Sequence, residues 1–304
     1  MKTIEVKNLT KKFGLFIAVN DISFDVDKAE IFGFLGPNGA GKTTTIRMLC
    51  GILTPTSGRG MVAGLDVIRE NEKIKSRIGY MSQKFSLYSD LTVEENMDFF
   101  AGIYNLPKLE KTKRKEWALE TAGLRLDRNR MTRELPTGFK QRLALVCALL
   151  HRPTIVFLDE PTAGVDPVSR RQFWDLIYHL KTEDKTTVFV TTHYMDEAEH
   201  CERIALIQDG RISAINSPAE LKTSIKSKIF AITAEPFLQV KEFLQSEKTV
   251  KKFIPFGLSW HVFLENENQA QEIKNKLINK KLRVEKFELV TPSLEDVFVS
   301  VMEK

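Results

Sequence analysis

The chain predicts an α/β protein: a mainly parallel core sheet covered by helices, followed by a smaller α+β unit. Three observations carry this. An apolar run, Ile31-Phe32-Gly33-Phe34-Leu35, leads through a glycine-rich turn into the helical stretch Thr44–Leu49. Two more short apolar strands, Ile155–Leu158 and Thr187–Val190, flank a helix over Ser169–Leu180, and strand–helix–strand order implies parallel pairing. Beyond about Leu221 the buried runs give way to short strands and polar helices.

Along the chain, Ile4–Leu9 predicts a first strand and Ile22–Val26 an alternating, half-exposed one. Leu91–Tyr104 and Trp117–Ala122 predict helices, and Phe139–Leu150 a strongly apolar helix that stops before Arg152-Pro153. Ile204–Ser213 predicts a hairpin turning at Asp209-Gly210. In the tail, strand 228–234, helix 237–246, hairpin strands 249–254 and 259–264, helix 269–279 and strand 284–289 follow one another. That β-α-β-β-α-β order is ferredoxin-like. Pro292 and Ser293 then open a last helix, with acids in its first turn.

Composition sets bounds. The 304 residues suffice for one large or two ordinary domains, and 42% hydrophobic with 28% charged residues is globular. A net charge of +5, from 45 basic and 40 acidic residues, is too even to point to nucleic acid; a basic patch facing a membrane stays open. Cys50, Cys147 and Cys201 are widely spaced and read as reduced thiols, the first two buried. No apolar stretch approaches a membrane span and the N-terminus does not resemble a signal peptide.

Gly36-Pro37-Asn38-Gly39-Ala40-Gly41-Lys42-Thr43 fits G-x-x-x-x-G-K-[ST]. Between a strand and a helix, this loop turns backbone N–H groups onto phosphate oxygens, where the helix N-terminus also favours negative charge. Lys42 is then expected to reach the β- and γ-phosphates, and the Thr43 hydroxyl to ligate magnesium. Thr44 continues the same phosphate-facing turn. Asp159 and Glu160 end a buried strand, with His193 beyond the next one. A carboxylate at Asp159 suits water-mediated magnesium binding, and Glu160 suits activation of an attacking water.

These motifs together resemble the nucleotide-binding subunit of an ATP-binding-cassette (ABC) transporter, over roughly residues 1–221, with a helical subdomain at about 84–150 and an antiparallel N-terminal β region. The resemblance implies ATP and Mg2+ as ligands. It assigns adenine stacking to Phe13, the glutamine loop to Gln83 (touching magnesium and the attacking water), the switch histidine to His193, and the subunit-crossing loop to Ala163–Pro167, with Asp166 near nucleotide. It makes Glu160, His193 and Gln83 catalytic, and Thr43, Gln83 and Asp159 the metal group. The family's signature segment, commonly Leu-Ser-Gly-Gly-Gln, corresponds here to Leu135-Pro136-Thr137-Gly138-Phe139, so proline replaces serine. In the family this segment grips ATP held by the opposite subunit. Pro136 lacks both hydroxyl and N–H, leaving Thr137 and Gly138 to supply that grip.

The Leu-Pro-x-Gly-aromatic-Lys-Gln-Arg variant and the tail Thr291–Phe298 resemble ABC-2-type exporters. The resemblance therefore implies an ATPase on the cytosolic face of the cell membrane. Its partners would be a second such subunit, identical or related, and a permease on a separate chain docked near Phe85, Leu87, Tyr88 and Leu91; no nucleic acid is expected. Residues 222–304 would form a regulatory or docking domain. Two alternatives stay open: a nucleotide-gated regulatory subunit with weak ATPase activity, and a non-transport ABC protein.

Overall fold

The computed structural model describes residues 2–83 and 86–302. The chain forms two units, Met1–Ile215 and Asn216–Lys304. The sequence boundary at Leu221 falls inside a helix, α8 (Pro218–Thr223), and belongs instead between Ile215 and Asn216. The reason is local: Ser217 and Glu220 form a capping box that starts α8, and Leu221 is buried within the second unit's packing.

The first unit opens with a hairpin, β1 (Lys2–Phe13) and β2 (Phe16–Asp27), joined at Gly14. Both strands run well beyond the apolar runs Ile4–Leu9 and Ile22–Val26, because pairing along the hairpin extends to Phe13 opposite Phe16. β3 (Ile31–Leu35) leads into α1 (Lys42–Leu49). β4 (Ser57–Val62), β5 (Leu65–Asp66), α2 (Asn71–Lys75) and β6 (Ile78–Met81) carry the chain toward Gln83. Gly58 and Gly60 interrupt the period of β4, which hides it from a pattern search.

Three helices follow: α3 (Val93–Ile103), α4 (Lys108–Ala122) and α5 (Thr137–Ala148). α3 starts after Thr92, whose side chain forms a capping box with Glu95. α4 begins nine residues before the expected Trp117, in the charge-dense stretch Lys108–Glu116. There, packing of Arg114, Ala118 and Leu119 decides, and apolar period does not. The chain continues through β7 (Ile155–Asp159), α6 (Pro167–Thr182), β8 (Thr187–Thr192), α7 (Met195–Ala198), β9 (Arg203–Gln208) and β10 (Arg211–Asn216).

The central sheet has the order β10-β9-β3-β8-β7-β6, with parallel pairing of β9, β3, β8, β7 and β6. A second sheet, β2-β1-β4-β5, is antiparallel. One core joins them: Ile4, Val6 and Phe24 pack with Phe32, Phe34, Phe157 and Phe189. The rings of Phe24, Phe32, Phe34 and Phe189 lie 5.4–6.0 Å apart, a spacing at which aromatic pairs attract. Cys50, Cys147 and Cys201 are all free and buried. Cys201 joins the other two because its Sγ packs against Gly33, where a Cβ would lie 2.8 Å away.

The second unit contains α8, β11 (Lys228–Glu235), α9 (Phe237–Ser246), β12 (Lys252–Phe256), β13 (Ser259–Leu264), α10 (Glu267–Asn279), β14 (Arg283–Val290) and α11 (Leu294–Met302). Its antiparallel sheet, ordered β12-β13-β11-β14, has the ferredoxin-like arrangement expected. The second strand starts at Lys252, later than Thr249, and accommodates Pro255 because β12 lies at the sheet edge. His261 Nδ1 and Asp296 Oδ1, 2.9 Å apart and both buried, tie α11 to the sheet.

Candidate nucleotide site

Parallel pairing brings the carboxyl ends of β3, β6, β7 and β8 to one edge of the central sheet, where open α/β sheets bind ligands. The loop Gly36–Gly41 leaves β3 there. Gly36 and Gly41 are required by sterics: a Cβ would lie 2.1 Å from Ile207 O at Gly36, and 2.5 Å from Ala18 O at Gly41, where φ is also +101°. Lys42, buried at the first turn of α1, donates to Gly36 O at 2.8 Å and Pro37 O at 3.0 Å.

The carboxylates sit opposite. Glu160 follows β7 in a left-handed conformation, φ +48°, pinned by its N–H to Thr191 O at 3.1 Å and Thr191 Oγ1 at 3.0 Å. Its side chain is buried. Glu160 Oε1 is 3.1 Å from Lys42 Nζ, and Oε2 accepts from Gln83 Nε2 at 3.1 Å. His193 Nδ1 lies 3.2 Å from the same Oε2, off the line of a hydrogen bond. Asp159 Oδ1 accepts from Thr43 Oγ1 at 3.0 Å and Thr191 Oγ1 at 2.7 Å. Burial raises the Asp159 carboxyl above its ordinary range, against the pull of those two hydroxyls.

A cavity of about 350 Å3 collects this group: Asn38, Gly39, Gly41, Lys42, Thr43, Thr44, Gln83 and Glu160, with Phe16 and Ala18 from β2. The larger groove, at Lys7, Arg59 and Asp66, contains none of these residues. Phe13, the expected stacking residue, does not line the cavity; its ring is half exposed, with Lys11 Nζ 5.1 Å above it. Phe16, its cross-strand neighbour, does line it. Directly paired residues project to the same face of a hairpin, so the two rings are neighbours at its tip, Phe16 64% and Phe13 49% exposed. Sequence reasoning missed Phe16 because no motif marks it. It also missed Thr191, which organises both Asp159 and Glu160, since a strand-end threonine carries no motif.

Pro136, Thr137, Gly138 and Asp166 lie outside that cavity. Pro136 is the N-cap residue of α5 without a side-chain cap, and Pro136 and Thr137 are exposed. Gly138 is buried against Ser169, whose Oγ would lie 2.4 Å from an added Cβ. Asp166 caps α6, accepting from Ser169 N at 2.9 Å, and this backbone hydrogen bond holds its carboxyl below the usual range. The exposed Tyr88 packs edge-on to Phe99 at 4.5 Å, beside half-buried Leu87 and Leu91. Phe85 falls outside the described residues.

Comparison with known proteins accords with this geometry. The ABC transporter family profile matches residues 19–163. The DrrA of Streptomyces peucetius, a daunorubicin/doxorubicin resistance ATP-binding protein, is 33% identical over 99% of this chain and 92% of its own length. The chain belongs to the ABC transporter ATP-binding family. It therefore carries the family's nucleotide-binding cassette.

A second profile, the C-terminal domain of DrrA1-3-like ATP-binding proteins, matches residues 217–302. The probable multidrug ABC transporter ATP-binding protein YbhF of Escherichia coli is 52% identical over 72% of this chain, which spans only 38% of YbhF. Among solved structures, the dimeric ABC cassette MJ0796 bound to ADP and phosphate superimposes with a TM-score of 0.64 at 27% identity, covering 70% of this chain and 98% of that one.

Among the described residues, no group of three or more His, Cys, Asp or Glu side chains could hold a metal alone. Thr43 and Asp159 nevertheless present adjacent hard oxygens. Such a pair suits magnesium, which keeps several waters and takes its remaining ligands from phosphates.

Proposed function

We propose that this ABC protein is the ATP-hydrolysing subunit of a membrane exporter. It would work as a dimer at the cytosolic face, coupled to a membrane-spanning partner on another chain. The observation that carries this is Glu160: a buried carboxylate at a strand end, within hydrogen-bonding distance of both Lys42 and Gln83 and beside His193. A chain that only bound nucleotide would have no use for a positioned base.

Lys42 and the loop N–H groups hold the β- and γ-phosphates. Thr43 and Asp159, with Gln83 near, hold magnesium, which when bound supplies charge neutralisation for phosphoryl transfer. Glu160 orients and deprotonates the attacking water, and Gln83 steadies the free oxygen of that carboxylate. His193 stands beside Glu160 to contact the γ-phosphate. Phe16, beside its cross-strand partner Phe13, packs against the base. Pro136 and Thr137 present an exposed helix start, with Gly138 buried behind them, suited to nucleotide held by a second protomer, and Asp166 braces the neighbouring α6.

Export is favoured by the drug-resistance and multidrug names of the two relatives, and by the DrrA-like second unit. No helix among the described residues is long and apolar enough to cross a membrane. The exposed Tyr88 and Phe99 fit a docking face for the membrane-spanning partner, and the second unit a regulatory or docking role.

ATP hydrolysis by the purified chain, measured over a range of protein concentration, tests this reading. Turnover that rises more than linearly and disappears in Lys42→Ala supports it. Tight ATP binding with no turnover, alone or with a permease, would instead favour a regulatory subunit, a reading that the uncapped start of α5 at Pro136 motivates.

A further inference from the structure

Glu197, in α7, lies outside the nucleotide cavity, yet its carboxyl is buried with 1% exposure. Thr162 Oγ1 donates to its Oε1, and Thr192 Oγ1 donates to its Oε2 at 2.7 Å. Thr162 stands two residues after Glu160, in the loop leading to Asp166. Thr192 directly precedes His193, and its hydroxyl also accepts from Tyr194 N at 2.9 Å. Both threonines are themselves buried. Arg170 approaches from α6: its Nε is 3.6 Å from Glu197 Oε1 without hydrogen-bond alignment, while its Nη1 donates to Asp196 at 2.9 Å and its guanidinium lies 4.8 Å from the Tyr194 ring.

A buried carboxyl is costly unless satisfied, and an apolar side chain would fill the same space more cheaply. Thr191 and Thr192 are consecutive on β8 and therefore point to opposite faces. Thr191 holds Asp159 and the Glu160 backbone; Thr192 reaches Glu197. One face of the strand end thus fixes the carboxylates, and the other ties the following loop to the histidine segment.

We propose that Glu197 is a positioning residue for ATP hydrolysis: by bridging Thr162 and Thr192 it locks the loop 161–166 to His193, so that displacement of that loop moves His193 relative to Glu160. This rests on the function proposed above. Burial, the dominant influence, also raises the Glu197 carboxyl to about 7. A carboxyl so poised can still serve the bridge when protonated, because a hydroxyl can accept as well as donate.

The test uses the full chain with Thr162→Val, Thr192→Val, Glu197→Ala and Glu197→Gln, alone and combined. Two readouts are taken: kcat and KM for ATP, and hydrogen exchange resolved to peptides covering 161–166 and 192–194. Thr162→Val is expected to speed exchange in 192–194, and Thr192→Val in 161–166, by roughly fivefold, with distant strands unchanged. Each threonine variant and Glu197→Ala lowers kcat on the order of 10- to 100-fold with KM little altered, and combinations cost no more than one change alone. Glu197→Gln, which preserves both hydrogen bonds, retains most activity. Effects that multiply, exchange that rises uniformly, or a Gln variant as poor as Ala would overturn the proposal. If the unaltered protein shows no turnover while cross-loop exchange coupling is present, the hydrolytic reading fails and the bridge stands. Turnover without coupling has the opposite meaning.

Discussion

Lys42 Nζ and Glu160 Oε1 lie 3.1 Å apart, both side chains buried, so the lysine that would hold phosphate is paired with the carboxylate that would activate water. A phosphate entering the loop competes with Glu160 for that ammonium. Lys42→Ala should abolish measurable ATP binding. Glu160→Gln should bind ATP at least as tightly as the parent, having lost a competing charge, while turnover falls on the order of 100-fold or more. Equilibrium binding and steady-state hydrolysis check both; undiminished turnover by Glu160→Gln would remove Glu160 from the chemistry.

Phe16 lines the cavity and Phe13 does not. Phe16→Ala is therefore expected to weaken ATP binding roughly 2- to 10-fold, the worth of one aromatic stack, while Phe13→Ala changes it less. A fluorescent ATP analogue titrated against both variants decides the matter. A larger loss in Phe13→Ala would favour the assignment made from sequence.

Gly138 touches Ser169 so closely that a methyl group would lie 2.4 Å from its Oγ and 2.6 Å from its Cβ. Gly138→Ala should destabilise the protein by about 1–3 kcal/mol through overpacking. Ser169→Gly in the same chain should recover part of that: it frees the space and keeps the backbone N–H that Asp166 accepts from, but it loses the Ser169 hydroxyl's bond to Asp166 and puts glycine in the first turn of α6. Thermal unfolding of the single and double variants reads this; an undisturbed Gly138→Ala melt would contradict the contact.

His151 stacks on Tyr104 with ring centroids 3.6 Å apart, its Nε2 3.0 Å from Ile78 O. Burial, aided by Arg114, lowers its pKa from 6.5 to about 4. The unfolded chain then takes a proton near pH 6.5 that the folded chain refuses until about pH 4, so stability rises with pH across this window and falls on acidification. The group alone should cost about 2 kcal/mol between pH 7 and pH 5. Urea unfolding at the two pH values should show this loss, and His151→Phe should lack it.

The candidate site residues were readable because they sit in contiguous motifs whose spacing is set by local geometry. A glycine-rich turn between strand and helix, an acidic pair at a strand end and a β-α-β-β-α-β order all express short-range rules. The core strands β3 and β7 could be read almost to the residue, since buried parallel strands are continuous apolar runs. α4 and β4 could not, because charge density in one and glycines in the other mask the period while tertiary packing holds the element.

The sequence by itself determined the class of the fold, the two-part organisation, and the identity of Lys42, Asp159, Glu160 and His193 as candidates. Only the tertiary structure decided which residues meet. Parallel pairing of β3, β8 and β7 set Lys42 against Glu160 across 118 positions of sequence. The fold placed Phe16 in the lining of the cavity, and the end of β8 gave Thr191 and Thr192 their separate partners. The physical reason is one of range. Backbone sterics and side-chain period act over a few residues, whereas a hydrogen bond between distant segments exists only once strand order has brought them together.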